Sequence, residues 1–263
     1  MPEIKAFTGR CMYIWKLKPV LVAEMGINNF VQKAKRAKLS GVWIKIAEGL
    51  APYRNVRGEM EPQFHEVVQK LNEQGIDVWG WHVPRAATVG AGKEEAQLVA
   101  SLVDQFNVSG VLMDAEAGGG FFRGNAETAD TYARTLRETL MGKGKGLAVC
   151  SHDIPENFPE FPFDEFAQHA IANAPQVYYG GSPSVENRLN RAIAANSHID
   201  MPFVPVGAGW IGDGGGCSSA SACAERAIIF MKLVRDHGFP GYSFWHWFGA
   251  PPNLWEVLFT EPV

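Results

Sequence analysis

Apolar runs and helical stripes alternate along this chain from end to end. Short strand-like runs lie at 11–17, 41–49, 76–84, 110–116, 146–153, 175–180, 202–209 and 241–247. Between them, the 3.6-residue period predicts helices at 27–39, 63–74, 93–105, 126–141, 163–173, 185–195 and 223–237. Gly41, Gly75 and Gly238 each follow a helical segment and precede a strand, as a helix-closing glycine does. Strand and helix alternate eight times without a linker-like shift in composition. That rhythm predicts an α/β chain forming a single (β/α)8 TIM-type barrel over residues 1–263. An open doubly wound sheet is the alternative, but no Gly-rich phosphate fingerprint follows the first strand. In such a barrel the site lies at the C-terminal strand ends.

The fourth run, Gly110 to Glu116, is apolar and ends in two carboxylates before breaking into glycines. Strand alternation puts Leu112, Asp114 and Glu116 on one face, with the Cα atoms of the two acids about 6–7 Å apart. Paired carboxylates at a strand end suit acid-assisted cleavage of a glycosidic bond, or a metal site. On the second strand, Val42, Ile44 and Ile46 form an outward face, leaving Trp43, Lys45 and Ala47 for the interior. An interior lysine needs a carboxylate partner, and Asp114 and Glu116 are the candidates, Asp114 the nearer. The other strand ends carry Trp79, Trp81 and His82, then His152 and Asp153, then Tyr178, Trp210, Trp245 and Trp247. Flat rings at so many strand ends predict a groove suited to sugar faces or other apolar ligands. Gly80 suggests a close backbone approach. The glycine-rich stretches 118–124 and 207–221 are the candidates for a closing loop.

Composition narrows the function classes. Hydrophobic residues make up 46% and charged residues 20%, ordinary for a chain with a real core. A net charge of −4 with no basic cluster argues against nucleic acid as partner. No run is long enough to span a membrane. The polar N-terminus shows no secretory signal, so synthesis in the cytoplasm is expected, with release by another agent if the protein acts outside. The four cysteines lack zinc-ligand spacing and are expected as free thiols, although Cys217 and Cys223 are close enough in sequence to pair. Ser151 lacks a Gly-x-Ser-x-Gly elbow. No cofactor or metal motif is present; a metal-dependent hydrolase built from His82, His152, His246, Asp114 and Asp153 is a third reading.

Three segments occur in the order seen in one family. Lys45-Ile46-Ala47-Glu48-Gly49 resembles the Lys-x-(Ser/Thr)-Glu-Gly segment ending the second strand of glycoside hydrolase family 25, the lysozymes of bacteria, fungi and phages. Gly75 to Val83 is similar to its third strand, and Asp114-Ala115-Glu116 to the Asp-x-Glu ending its fourth. The resemblance covers roughly the first half of the chain. It implies cleavage of β-1,4 bonds between N-acetylated amino sugars of a cell-wall glycan. Glu116 would be the general acid, and Asp114 would stabilise the acetamido group as it cyclises. Such an acid needs a pKa raised by burial and by the neighbouring Asp114. Three features depart from the family, one being that neither Asp213 nor Trp245-His246-Trp247 matches the acids that close its last strands. The first strand, Met12 to Leu17, lacks the family's Gly-x-Asp acid, for which Asp153 is a better substitute than Asp213. Ala47 stands where Ser or Thr is usual. A non-catalytic barrel, either one that binds glycan without cutting it or a phage structural component, is the competing class.

Overall fold

A computed structural model of the chain describes residues 7–263. The strands are β1 (Arg10–Ile14), β2 (Leu39–Glu48), β3 (Ala51–Pro52), β4 (Asp77–Val83), β5 (Gly110–Asp114), β6 (Gly146–Cys150), β7 (Gln176–Val177), β8 (Val206–Ala208) and β9 (Tyr242–Trp245). All are parallel to their neighbours except β3, a short antiparallel return on β2. The sheet order is β6-β5-β4-β2-β1-β9-β8-β7. Its two ends meet through the segment before β7. Ala174 N donates to Val149 O at 2.7 Å and Gln176 N to Ser151 O at 2.9 Å, which closes the ring. The result is the eight-stranded parallel barrel expected from the alternation, and every expected strand run overlaps one of its strands.

The helices are α1 (Leu17–Ala23), α2 (Ile27–Arg36), α3 (Met60–Glu73), α4 (Val89–Phe106), α5 (Ala126–Met141), α6 (Phe163–Ala167), α7 (Val185–Ala195), α8 (Ala220–Asp236) and α9 (Pro252–Thr260). Four have side-chain caps at their N-termini: Thr88, Asn125, Ser184 and Ser219 each accept from the amide three residues on. Among the described residues no helix is long and apolar enough to cross a membrane. Three expectations shift. β1 stops at Ile14, and Leu17 opens α1 instead of ending a strand. The helix expected to run to residue 173 stops at Ala167, since the residues that follow are needed to close the barrel. Neither α1 nor α9 was expected.

Two cores lie on either side of the strands. Met12, Ile14, Val42, Ile44, Val78, Val111 and Met113 pack outward against the helices. Tyr13, Trp43, Trp79, Trp81, Leu112, Ala148 and Val206 fill the barrel. The floor is aromatic: Trp79 meets Trp43 edge-on at 5.4 Å and Phe7 at 4.9 Å. Its indole spreads over Gly110 and Gly146, where a Cβ would come within 2.5 and 2.3 Å of the ring. The close approach expected at Gly80 is present, with Ile46 Cδ1 2.4 Å from where a Cβ would stand. On β2 the register against β4 slips between Lys45 and Ala47. The slip sends Ala47 outward to the helix layer with Ile46, correcting its expected interior position.

Candidate active site

The C-terminal strand ends open into a cleft of about 420 Å³ walled by Trp15, Trp81, Tyr178, Trp210 and Trp245, with Asp114 and Glu116 among its lining residues. Trp81 and Trp245 meet edge-to-face at 5.1 Å, and Tyr178 and Trp210 do so at 4.9 Å. A second compartment of about 540 Å³, lined by His152, Asp153, Arg188 and Ser182, shares Glu116, Gln176 and Tyr178 with the first. The carboxylates therefore sit where two compartments meet, as a chain-shaped ligand crossing the site requires. The Trp245–His246 peptide bond is cis.

β5 carries Asp114 at its end, and Glu116 follows two residues on. Trp81 Nε1 donates to Asp114 Oδ2 at 2.9 Å. The Gln176 amide donates to Asp114 Oδ1 at 3.2 Å and to Glu116 Oε1 at 2.9 Å. Asp114 and Glu116 also hydrogen-bond one another. Burial, then the charge of Glu116 and the hydrogen bond to it, push the Asp114 carboxyl well above the usual carboxylate range; Trp81 and Lys45 oppose them. So Asp114, expected as the stabiliser of the acetamido group, is the carboxyl that burial keeps protonated, and its O–H donates a hydrogen bond to Glu116. Folding thus favours neutral Asp114. That contribution is whole below the unfolded value of about 3.9 and is lost as pH rises through the raised folded value. Asp114→Asn, which cannot ionise, should melt with the parent near pH 4 and above it near neutrality. The gap should widen with pH, on the order of 2–4 °C per kcal/mol relieved. A gap that closes as pH rises, in calorimetry across that range, would contradict the assignment.

Lys45 enters the site as expected but with another partner. Its ammonium bonds Glu48 Oε2 at 2.6 Å and lies 5.2 Å from the centre of the Trp81 ring. Arg85 pairs with the other Glu48 oxygen. Burial alone would raise Glu48; the two cations hold it below its ordinary range. Lys45 reaches Asp114 only through its field, so the expected pairing with the carboxylate dyad gives way to Glu48, which the β2–β3 return brings beside it.

Several candidates from the sequence lie elsewhere. His82 points outward, because β4 turns Trp81 and Val83 inward on either side of it. Its Nε2 meets Gly49 O at 3.1 Å and its Nδ1 the Tyr132 hydroxyl at 2.7 Å. A carbonyl only accepts, so Nε2 carries the proton; burial lowers the pKa to about 3, and the ring is neutral. Trp79 is interior but one layer too low, in the floor. Trp247 lies past the barrel wall against Phe30 at 4.5 Å and Trp255 at 4.7 Å, its indole donating to Glu24. Asp153 lies in the second compartment, held in an ion pair by Arg188 at 2.6 Å, so it is no substitute for the absent first-strand acid. That place is aromatic: Tyr13 stands against both Trp81 and Trp245, and Trp15 reaches the cleft. Among the described residues no cluster of three or more His, Cys, Asp or Glu could hold a metal ion.

No family model matches the chain, and no curated protein matches it in sequence. Solved structures match over nearly its whole length. A GH18 chitinase from Pseudoalteromonas aurantia superposes with a TM-score of 0.63 at 12% identity, over 95% of this chain and 97% of that one. A class V chitinase from Pseudomonas fluorescens gives 0.66 at 9% identity, over 95% and 98%. The spore cortex-lytic enzyme SleL of Bacillus megaterium gives 0.63 at 10%, over 98% and 74%. The fold is that of TIM-barrel glycoside hydrolases. None of these three is named as a family 25 lysozyme, so they support the TIM-barrel fold of glycoside hydrolases without singling out family 25.

Four residues lining this cleft were not legible in the sequence as site members: Gln176, Trp15, Glu48 and Arg85. Gln176 had a legible signal, since it stands two residues before Tyr178 and so shares its face. Trp15 sits beyond the last β1 residue, and Arg85 just past β4. Both depend on where loops turn.

Proposed function

We propose that the protein is a glycoside hydrolase acting on β-1,4-linked polymers of N-acetylated amino sugars, with Glu116 as the general acid. The observation that carries this is the hydrogen-bonded contact between Asp114 and Glu116 at the bottom of an aromatic cleft. Glycosidases whose two carboxyls flank the scissile bond hold them about 5–5.5 Å apart for retention or about 6.5–9.5 Å for inversion. Two carboxyls bonded to each other do neither. The other acids nearby are occupied, Glu48 by Lys45 and Arg85, and Asp153 by Arg188. The nucleophile left is the 2-acetamido oxygen of the substrate itself, an arrangement glycosidases are known to use.

The chain's own groups then act in sequence. A sugar ring seats against Trp81 and Trp245. Its acetamido N–H donates to Asp114, which favours the ionised form of that carboxyl, so the shared proton passes to Glu116. Glu116 protonates the leaving oxygen while the acetamido oxygen closes on the anomeric carbon. Tyr178, whose hydroxyl burial keeps protonated, is placed to donate to that oxygen. Gln176 holds both carboxyls in line throughout. Supporting the reading are fold neighbours named as chitinases, a spore cortex-lytic enzyme and an endo-β-N-acetylglucosaminidase, together with the family 25 resemblance, which favours a cell-wall glycan.

The test is product analysis with three polymers: chitin oligomers, peptidoglycan and cello-oligomers of matched length. The proposal expects cleavage of one or both acetamido-bearing polymers and none of the cello-oligomers, which lack the internal nucleophile. Equal cleavage of cello-oligomers would refute the acetamido mechanism. Saturable binding with no reducing ends released would refute the enzyme and establish the binding barrel instead.

A further inference from the structure

The far wall of the cleft is carried by a loop with its own chemistry. From Trp210 the chain runs through Gly212, Gly214, Gly215 and Gly216 to Cys217, and Cys223 follows in the first turn of α8. Both thiols point at one acceptor, the carbonyl of Ala208 at the end of β8, at 3.8 Å from Cys217 and 3.9 Å from Cys223. They hydrogen-bond one another, and Cys223 also reaches the Trp210 carbonyl at 3.7 Å. The backbone ties Cys217 to the same place: its N–H donates to Trp210 O at 2.7 Å, and its carbonyl accepts from Gly212 at 3.1 Å. Whatever fixes Cys217 therefore fixes Trp210, which faces Tyr178 in the cleft.

We propose that Cys217 and Cys223 are a modification site at which a peroxide closes a reversible disulfide, stapling the Trp210 loop to the start of α8. The order of events follows from the surroundings. A hydrogen bond from Cys223 is the main influence holding the Cys217 thiol below its ordinary value, and Arg226 adds to it; the same hydrogen bond, and burial, push Cys223 up. Cys217 is thus the nucleophile. Its thiolate attacks a peroxide oxygen, the O–O bond breaks, hydroxide leaves, and Cys217 becomes a sulfenic acid. Cys223 sulfur then attacks the Cys217 sulfur, and its proton leaves with the hydroxyl as water. Two thiols and one hydrogen peroxide give one disulfide and two waters. Both sulfurs are buried, but the loop tip from Ile211 to Gly214 is exposed, and a peroxide is scarcely larger than a water. The other two cysteines lie apart on barrel strands: Cys11 beside Ser40, and Cys150 beside Gln176 with its thiol raised by burial.

The experiment treats the purified chain with hydrogen peroxide in small excess and maps its peptides without reduction. The expected result is a Cys217–Cys223 link, an intact mass lower by two hydrogens, and full reversal by dithiothreitol. Cys11 and Cys150 remain reduced. Amide exchange over 210–217 slows severalfold in the oxidised chain, while exchange in β5 and β6 is unchanged. Cys217→Ser abolishes the link. Should that variant not fold, the peptide map of the parent decides alone. Oxidation of the exposed Met25 and Met141 while both thiols stay reduced would overturn the proposal, and so would a link that leaves loop exchange unaltered. Neither readout uses glycan cleavage, so this inference and the proposed function fail independently.

Discussion

Glutamine in place of Glu116 should leave the barrel folded and lower kcat on an acetamido-bearing oligomer by about 10²–10⁴, the range a positioned acid supplies. The shape is kept, and the amide oxygen can still accept from Gln176, so the Asp114 cluster has no new vacancy. Only the transferable proton is gone. KM should therefore change little, since the acid works in the transition state and not in ground-state binding. The loss should also be deepest where the parent works best, because the parent depends on the one proton shared by the Asp114–Glu116 pair. As pH rises and that proton leaves, the parent falls toward the variant and the gap narrows. Initial rates on a chitin oligomer across pH, for both proteins, measure this directly. A variant within tenfold of the parent at every pH would remove Glu116 from the mechanism.

Alternation along the strands told which way a side chain points but not how far up the barrel it stands. Trp79 and Trp81 share the interior face of β4, yet one paves the floor and the other walls the cleft. Only the stagger of neighbouring strands separates them. His82 is a different case. The same alternation that turns Trp81 inward turns His82 outward, to Tyr132 and Gly49 and away from the cleft. The acids at the end of β5 were legible because a polar pair closing an apolar run has few uses. Their electrostatics were not legible, since which carboxyl is buried depends on Trp81 and Gln176 from other strands. The partner of Lys45 was hidden for a similar reason. Glu48 comes within 2.6 Å only because β2 slips register and returns as β3. α1 and α9 were missed because Pro19 lies inside the first, and Pro251 and Pro252 open the second, where a sequence reads as loop. Proline is in fact at home in a first helical turn.

Arg10→Ala should destabilise the fold by about 3–5 kcal/mol, a melting shift of roughly 10 °C in a chain of this length. Arg10 opens β1 and is wholly buried. Its Nε donates to the Tyr242 hydroxyl at 3.0 Å, and its Nη1 to Ala37 O at 2.8 Å and to Leu258 O. Its Nη2 donates to the carbonyls of Glu261 at 3.2 Å and Pro262 at 3.1 Å. These acceptors are neutral groups. Four are carbonyls at the C-terminal ends of α2 and α9, where the helix dipole concentrates negative partial charge. The cation is thus held by two helix ends at once, and it ties α9 to the first and last strands of the barrel. Alanine would leave those carbonyls without a donor and open a cavity between them. Lysine keeps the charge but lacks the planar fork, so it should recover less than half of the loss. Arg10 sits at the N-terminal end of β1, across the barrel from Asp114 and Glu116, so kcat of the folded variant at 25 °C should equal that of the parent. Urea unfolding of the three proteins, with rates measured below the transition, separates these outcomes. A midpoint for Arg10→Lys equal to the parent's would show that charge alone, and not the fork, joins the C-terminal helix to the barrel.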